Sequence, residues 1–427
     1  MTPAALFLSC ATGVEDLLAH EVQALAPDCE TARQHGGVAL QGDAVVAMRL
    51  NLESRLAQRV LWRVAQARYR GEDDLYELAR RVTWSDWISA RQTLRVDTSA
   101  RSSPLKSLNF ASLRIKDAVC DTMRDALGER PSVDTRHPDL GLILHLEHDH
   151  ASLYVDLSGE ALFKRGWRDA QADKGEAPLK ETLAAAMLAA AQWRGQTGDG
   201  ALLDPCCGAG TIAIEAAQMA CGRAPGLQRR FAFERLLPFR DQQSVWRDLQ
   251  AAARERIRAC PVPIFASDVS FRMTDFAARN AERAGVAAAI SFKTVDALQR
   301  PPPATAGTMM LNPPYGERLA PKGRGGHRDS GARAAAAASI PTRESAQGSA
   351  DTQTFFAQLA AHWKRHYAGW TAWVLSPDMK LPTHMRLQES RRVPLWNGPI
   401  ECRLFRFDLV AGSMRARDPA EAPEPGA

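Results

Sequence analysis

The chain has 427 residues, 45% of them hydrophobic and 24% charged, which predicts two or three folded domains and excludes wholesale disorder or a collagen-like fibre. No uncharged apolar run approaches the roughly 20 residues of a membrane-spanning helix, and the N-terminus lacks the basic region of a signal peptide, so we expect a cytoplasmic protein with no membrane partner. The net charge is +5, and 45 of 54 basic residues are Arg, which permits nucleic-acid binding but equally reflects a GC-rich genome.

Short strands and helices alternate irregularly through the first 160 residues, which predicts an α+β region. The segments ALFLS, GGVALQG, TLRVDTS, LILHLEH and SLYVDL have the pattern of strands. Helical spacing marks Gly13 to Leu25, the segment after a capping Asp43, DDLYELARRV, and Phe110 to Leu127. A Gly- and charge-rich connector is expected to follow over residues 161–178.

The pattern then changes to strands alternating with helices. Apolar strands such as ALLD, PIFASD and TMML are each followed by an amphipathic helix or a turn. This order is typical of an α/β, Rossmann-like, doubly wound and mostly parallel sheet, expected over residues 179–412. Residues 322–350 have low complexity and no apolar face, so we expect a flexible insertion there, and a disordered tail over 413–427.

Cysteine and histidine usage does not indicate a metal. Eight cysteines include no C-x-x-C pair, and the adjacent Cys206 and Cys207 cannot both bind one tetrahedral ion comfortably. His145, His148 and His150 lie where two predicted strands meet, which favours a solvated hairpin tip. His362 and His366 share a predicted helix but lack the Glu of a zinc-hydrolase motif. We predict no metal site.

The strongest local signal is LLDPCCGAGTIAIEAA, where a strand ends in Asp204, a Gly-rich turn carries Gly208 and Gly210, and a helix begins near Thr211. Such a turn lets a ligand approach the backbone and the free N–H groups of the helix. It suits a dinucleotide or the amino-acid portion of S-adenosylmethionine. A dinucleotide site would need an acid about 20 residues on, where the basic GRAPGLQRRFAFER stands instead.

Two acids and a proline-rich motif follow at the ends of later strands. Asp268 ends the second strand and could accept from ribose hydroxyls, and Asp296 ends the third and could accept from an adenine amino group. Asn312-Pro313-Pro314-Tyr315 directly follows the fourth strand. The Asn312 amide oxygen and the Pro313 carbonyl could hold both hydrogens of an exocyclic amino group, while Tyr315 stacks on its base.

These residues together resemble the class I S-adenosylmethionine-dependent amino-methyltransferases. The flanks DLSGEALFKRGWR, APLKETLAAAML and GLQRRFAFERL, with FLSCATGVEDLLAHE and GERPSVD nearer the N-terminus, are similar to the bacterial THUMP-domain 23S ribosomal RNA guanine-N2-methyltransferases. The resemblance implies a ferredoxin-like part over 1–65, a THUMP RNA-binding domain over 66–160 and a methyltransferase domain over 179–412. It also implies methyl transfer to the N2 amino group of a guanine in 23S rRNA or a large-subunit precursor.

The family pattern assigns residues to roles in this sequence. The cofactor would be held by Asp204, Pro205, Cys207, Gly208, Gly210, Thr211, Asp268, Asp296 and Asn312. The flipped guanine would be held by Asn312, Pro313, Pro314 and Tyr315. Candidate phosphate contacts are Lys106, Arg114, Lys116, Arg165 and Arg168. Cys206 and Ala209 depart from the residues common at their places in the turn, but both are small.

Other interpretations remain open from the sequence. The motif NPPY also suits N6-adenine, tRNA guanine-N2 and glutamine-amide methyltransferases, since each presents a planar amino group. A non-catalytic RNA-binding assembly factor and an NAD-dependent dehydrogenase are further alternatives. Some members of the resembled family carry a second methyltransferase domain, and we expect this chain to carry one activity only.

Overall fold

The computed structural model describes residues 3–168, 179–313 and 350–410, which form two β-sheets and the helices packed on them. The strands are β1 (Ala4–Ser9), β2 (Thr31–Gln34), β3 (Gly37–Gly42), β4 (Arg59–Arg68), β5 (Thr93–Arg101), β6 (Ser132–Val133), β7 (Leu140–Glu147), β8 (His150–Asp156), β9 (Ala201–Asp204), β10 (Ile264–Asp268), β11 (Ile290–Thr294), β12 (Gly307–Leu311), β13 (Trp370–Ser376), β14 (Arg391–Asn397) and β15 (Ile400–Asp408). The helices are α1 (Glu15–Leu25), α2 (Ala44–Glu53), α3 (Glu72–Arg80), α4 (Leu108–Leu127), α5 (Glu181–Ala190), α6 (Thr211–Ala220), α7 (Gln243–Glu255), α8 (Phe271–Arg283), α9 (Ala350–His366) and α10 (Leu381–Met385).

The N-terminal sheet has the strand order β2-β3-β1-β4-β8-β7-β5-β6. Strand β4 pairs antiparallel with β1 on one side and with β8 on the other. Because β4 runs through residue 65, where the sequence suggested a boundary, the two N-terminal parts share one continuous sheet. As predicted, Asp43 caps α2, accepting a hydrogen bond from the Val46 N–H at 2.9 Å.

The histidine cluster lies at a hairpin tip, as the sequence predicted. Glu147 pairs with His150 across β7 and β8, which leaves His148 and Asp149 as the loop. His145 contacts the Ser99 hydroxyl and His150 contacts Asp149. Within the described residues, no group of three His, Cys, Asp or Glu side chains could hold a metal ion. In the same part of the chain, no helix combines the length and the apolar character needed to cross a membrane.

The C-terminal sheet has the order β11-β10-β9-β12-β13-β15-β14, with β9 to β13 parallel and β15 antiparallel to both of its neighbours. The predicted doubly wound, mostly parallel sheet is confirmed. In β9, Leu202 packs in the core that contains α5 and α6, while Ala201 and Leu203 pack with α9 on the other face. Burial on both faces explains why this strand is apolar throughout. Sequence reasoning missed α7, β14 and β15.

The two halves of the molecule meet around one buried carboxylate. Glu215 on α6 is fully buried, and its Oε1 lies 3.0 Å from Nε of Arg165. Arg55, just beyond α2, approaches the other oxygen at 3.5 Å and also donates to the Arg223 carbonyl. Arg165 donates in addition to the carbonyls of Leu162 and Arg55. Two arginines from before residue 170 therefore neutralise a carboxylate within the C-terminal half.

Replacing Arg165 alone should lower the free energy of unfolding more than replacing Arg165 and Glu215 together. Arg165→Met leaves Glu215 buried beside the distant Arg55 alone, so we expect the free energy of unfolding to fall by about 3 kcal/mol. The double variant Arg165→Met/Glu215→Met should recover part of that loss, because the uncompensated carboxylate is removed, while Arg55 still donates to the Arg223 carbonyl. Urea denaturation followed by tryptophan fluorescence measures both. A double variant no more stable than Arg165→Met would contradict this account.

Candidate functional site

The candidate site lies at the carboxyl edge of the C-terminal sheet. Strands β10 and β11 continue from β9 to one side, and the chain then returns to place β12 on the other side of β9. Parallel α/β sheets bind ligands in the crevice at such a reversal. Asp204 pairs with Ala266 and Leu203 with Met309, so Asp204, Asp268 and Asn312 all come at this edge, as predicted.

The glycine turn between β9 and α6 has the backbone that the sequence suggested. Gly208 and Gly210 adopt φ values of +52° and +85°, which L side chains rarely tolerate. A Cβ on Gly210 would lie 2.9 Å from the Ala277 Cβ, whereas beside Gly208 the nearest atom is Met273 Cε at 3.9 Å. Gly210 thus packs against α8, and Gly208 faces a space that a ligand could fill.

Neighbouring elements hold the turn in place. The Gly208 N–H donates to Asp268 Oδ2 at 3.0 Å, and the Cys207 N–H donates to the Ser267 carbonyl at 2.8 Å. The buried Asn280 amide on α8 donates to the Ala209 carbonyl at 3.0 Å. Sequence reasoning missed Ser267 and Asn280, because a single buried polar residue in a strand or helix forms no motif.

The hydroxyl of Thr211, the first residue of α6, accepts a hydrogen bond from Arg168, which the sequence suggested as a phosphate contact. The Arg168 Nη2 donates to the Thr211 hydroxyl at 2.6 Å, and its Nε is paired with the buried Glu181. Arg168 thus links the connector to the start of α6 and to α5. The predicted phosphate contact by Arg168 therefore needs correction, since most of its donors already bond inside the protein.

Asp204 is a buried carboxyl with few partners. Its pKa is raised to about 8, mainly by burial and in part by Asp268, while the Cys206 N–H and the Arg300 guanidinium oppose the shift. Burial, with a contribution from Asp204, also raises the pKa of the Cys206 and Cys207 thiols well above the usual range. The thiols are therefore protonated at neutral pH and are not nucleophiles. Pro205 is buried beside them.

The two later acids retain capacity to accept hydrogen bonds. Asp268 is half-buried, and its Oδ1 accepts from the Ser270 N–H at 2.9 Å while Oδ2 holds Gly208. Asp296 accepts from the Leu298 N–H at 2.9 Å. Since each carboxylate oxygen can accept two hydrogen bonds, both groups can still bind a ligand hydroxyl or amino group.

Asn312 directly follows β12 and carries the most informative atom of the site. Its Oδ1 is buried and accepts no hydrogen bond from the described residues. An unpaired buried acceptor costs about 1–3 kcal/mol, and this one lies at the carboxyl edge of the sheet, where a ligand donor would satisfy it. Pro313 is buried next to it. Pro314, Tyr315 and nearly all of the 322–350 segment lie outside the described residues.

The remaining predicted RNA contacts divide into exposed and buried groups. Lys106 is exposed. Arg114 pairs with Asp73 and covers the Tyr76 ring, and Lys116 pairs with Asp117, both at the surface of α4. Arg165 is only 2% exposed and is ion-paired with Glu215. Its predicted phosphate contact is wrong, because the sequence shows the charge of a side chain but not its burial.

Comparison with known proteins places these features in a family. Three domain models match in order: the RlmL ferredoxin-like domain over residues 5–61, the THUMP domain over 69–156, and the RMKL-like methyltransferase domain over 165–327. The chain thus combines a ferredoxin-like domain, a THUMP domain and an RMKL-like methyltransferase domain. It is 37% identical to the ribosomal RNA large subunit methyltransferase K/L of Syntrophotalea carbinolica, over 99% of this chain and 56% of that protein. The chain thus spans about half the length of the curated relatives it matches.

Solved structures share the fold of this chain over nearly its whole length. The protein SMU.472, solved in complex with SAH, aligns with a TM-score of 0.79 at 22% identity and covers 97% of this chain and 100% of its own. A predicted N6-adenine-specific DNA methylase from Listeria monocytogenes aligns with a TM-score of 0.78 at 25% identity, over 95% of this chain and 96% of its own. Together with the three domain models, this shared fold confirms the predicted Rossmann-like methyltransferase domain behind ferredoxin-like and THUMP parts.

The geometry of the glycine turn gives a test of its packing. Gly210→Ala should lower the free energy of unfolding by about 2 kcal/mol, because the new Cβ requires an unfavourable φ and meets Ala277. Gly198→Ala is the matched control, since nothing lies within 4 Å of the position that its Cβ would take, and it should be neutral or slightly stabilising. Chemical denaturation compares the two. Equal effects would mean that the turn relaxes freely.

Proposed function

We propose that this chain transfers a methyl group from S-adenosylmethionine to the exocyclic N2 amino group of a guanine in 23S ribosomal RNA. The observation that carries the proposal is the buried, unpaired Asn312 Oδ1 at the strand end next to the glycine turn. An acceptor in that place needs a ligand donor, and an aromatic amino group supplies two. The names of the longer K/L relatives support ribosomal RNA as the substrate.

The edge of the sheet fits S-adenosylmethionine in charge. The cofactor carries a cationic sulfonium and an ammonium group, and three carboxyls, those of Asp204, Asp268 and Asp296, lie close enough to Cys206 in the glycine turn to raise the pKa of its thiol. Asp204, with Pro205, Cys207, Gly210 and Thr211 around it, would receive the methionine end. Asp268 would accept from the ribose hydroxyls and Asp296 from the adenine amino group. When bound, the cofactor supplies an electrophilic methyl group.

Asn312 and Pro313 would prepare the guanine for transfer. The lone pair of a guanine N2 amino group is delocalised into the ring, which makes the nitrogen a poor nucleophile. Two carbonyl oxygens that accept its hydrogens favour a pyramidal nitrogen with its lone pair directed at the methyl carbon. The new C–N bond forms as the S–C bond breaks, the nitrogen then loses one proton to solvent, and SAH leaves. Pro314 and Tyr315 complete the motif in sequence, with Tyr315 proposed to stack on the base.

The proposed partner is 23S rRNA or a precursor of the large ribosomal subunit, in the cytoplasm, with no metal in the reaction. Base flipping costs a few kcal/mol and is easiest where the RNA is unpaired. In this proposal, the roles of Arg168 and the buried Arg165 are structural. Candidates for phosphate contact remain Lys106, Arg114 and Lys116. The two other classes of product, methylated adenine and methylated tRNA guanine, are outcomes of the experiment below.

Nucleoside mass spectrometry tests the substrate and the role of Asn312 together. The purified chain, incubated with 23S rRNA and labelled S-adenosylmethionine, should yield labelled N2-methylguanosine. Asn312→Ala should lose most turnover, at least 100-fold, and keep the cofactor affinity, whereas Asp268→Ala should weaken cofactor binding first, since Asp268 also holds Gly208. Calorimetry provides the affinities. Labelled N6-methyladenosine would assign a different base, and label in added tRNA but not in 23S rRNA would assign a different RNA.

Cofactor binding should release a proton from Asp204. With a pKa of about 8, this carboxyl is mostly protonated at pH 7 in the free protein. A ligand ammonium beside it favours the carboxylate, so its pKa falls and close to one proton leaves on binding at pH 7. Calorimetry at pH 7 in two buffers of different ionisation enthalpy measures the release, and Asp204→Asn should show none. Equal release from both proteins would contradict the assignment of Asp204.

A further inference from the structure

A large cleft separates the N-terminal sheet from the segment before α7 and α7 itself. Its walls are the loop 134–138, the connector 158–168 and the residues 228–250, and its volume is about 1540 Å³. We call it the basic cleft. No site residue predicted from the sequence lies in the 228–250 wall, and the proposed methyl transfer uses no residue there.

Positive charge dominates the basic cleft. Among the described residues, eleven Arg and Lys side chains line it against four carboxyls. Several of these cations are already used inside the protein: Arg59 pairs with Asp156, and Arg229 donates to the carbonyls of Ser158, Glu160, Ala161 and Lys164. The exposed Arg136, Arg230 and Arg247 differ from them, since none forms an ion pair with a described residue. The Arg247 Nε donates to the Gln243 carbonyl at 3.3 Å, and the other donors of these three guanidinium groups are available to an anion.

The walls of the cleft are fixed to each other. Arg235 donates from Nη2 to the Pro138 carbonyl at 3.0 Å and lies 3.4 Å from Asp139. The Leu237 N–H donates to the Trp87 carbonyl, and the Gln92 amide donates to the Arg235 carbonyl, each at 3.0 Å. Because these bonds join the N-terminal sheet to the 228–250 wall, the spacing of the free arginines is set before any ligand binds.

The composition of the cleft favours a phosphate backbone over exposed bases. The aromatic side chains of the 228–250 wall, including Phe231, Phe233, Phe239 and Trp246, are buried and pack on one another. Because these rings face inward, they cannot stack on bases, and the 228–250 wall offers charge rather than aromatic stacking. Separated guanidinium groups that form no ion pair match a chain of phosphates.

The cleft also leads toward the candidate site. Arg168, Leu179 and Glu181 are among its lining residues, and Arg168 donates to the hydroxyl of Thr211 at the start of α6. Thr211 directly follows the glycine turn. A polyanion held by Arg136, Arg230 and Arg247 would therefore extend to the wall of the site where the amino group is methylated.

We propose that the basic cleft binds the phosphate backbone of the substrate RNA on one side of the target guanine, through Arg136, Arg230 and Arg247. The inference rests on the proposed function and adds to it the surface that holds the RNA. This surface belongs to both halves of the molecule and is separate from the Lys106, Arg114 and Lys116 side chains of the α4 region.

The test is the salt dependence of RNA binding by the full chain. The probe is a fluorescein-labelled 20-nucleotide polyuridine, which contains no guanine and therefore reports on the phosphate contacts alone. The cleft variant is Arg136→Gln/Arg230→Gln/Arg247→Gln. Its matched control, Arg33→Gln/Arg68→Gln/Arg194→Gln, removes the same charge from exposed arginines outside the cleft. S-adenosylmethionine affinity and the thermal midpoint verify that each variant is folded.

Each neutralised phosphate contact on a single strand contributes about 0.7 to the slope of log K against log salt. The cleft variant should therefore lose about 2 from this slope and bind roughly 100-fold more weakly at 0.1 M salt. The control should bind within about twofold of the wild-type chain. For 23S rRNA, the cleft variant should raise KM far more than it lowers kcat.

Three other outcomes would contradict the proposed RNA-binding surface or the proposed function. Wild-type affinity and slope in the cleft variant would overturn the proposal, and a loss confined to Lys106→Gln/Arg114→Gln/Lys116→Gln would place the RNA on α4 instead. Failure of the wild-type chain to methylate 23S rRNA, with polyuridine binding still lost in the cleft variant, would overturn the proposed function and leave the cleft as the anion-binding surface. The two failures are therefore distinguishable.

Discussion

The fully buried carboxylate of Glu215 is the interaction on which the arrangement of this molecule depends. A carboxylate without solvent requires compensating charge and hydrogen bonds, and Arg165 and Arg55 supply both. One turn earlier on the same helix, Thr211 is bound by Arg168. Two consecutive turns of α6 are thus each attached to an arginine of the connector. The glycine turn ends where this helix begins, so the connector helps to set the position of the cofactor site.

Local patterns predicted most of the elements and few of the long-range pairings. Helices such as α2 and α8 and strands such as β9 and β12 carry their own periodicity, caps and turn residues, which a sequence displays directly. The continuity of the N-terminal sheet depends on β4 pairing with β8 about 90 positions along the chain. No local pattern encodes such a pairing. Burial of Arg165 depends in the same way on a partner 50 residues away.

The site was predictable to the extent that topology brings strand ends together. Asp204, Asp268 and Asn312 each follow a parallel strand, and the carboxyl ends of parallel strands share one edge. Their environments were not predictable. Asp268 has a second function, since it holds the Gly208 N–H that shapes the turn. Burial raises the pKa of Asp204 to about 8, and Asn280 supports Ala209 from another helix.

The carboxyl edge of the C-terminal sheet and the basic cleft are separated in a way that suits two ligands of opposite charge. Several carboxyls lie at the edge of the sheet, where they would attract a cationic cofactor and repel an RNA phosphate. Several arginines line the basic cleft, where they would attract a phosphate and repel a cation. Arg168 lies between the regions, paired with Glu181 on one side and bound to Thr211 on the other. The phosphate backbone of an RNA is attracted to the basic cleft. An uncharged base is therefore the part of the RNA that can best enter the acidic edge of the sheet. This separation of charge directs the nucleobase, and not the phosphate, toward Asn312.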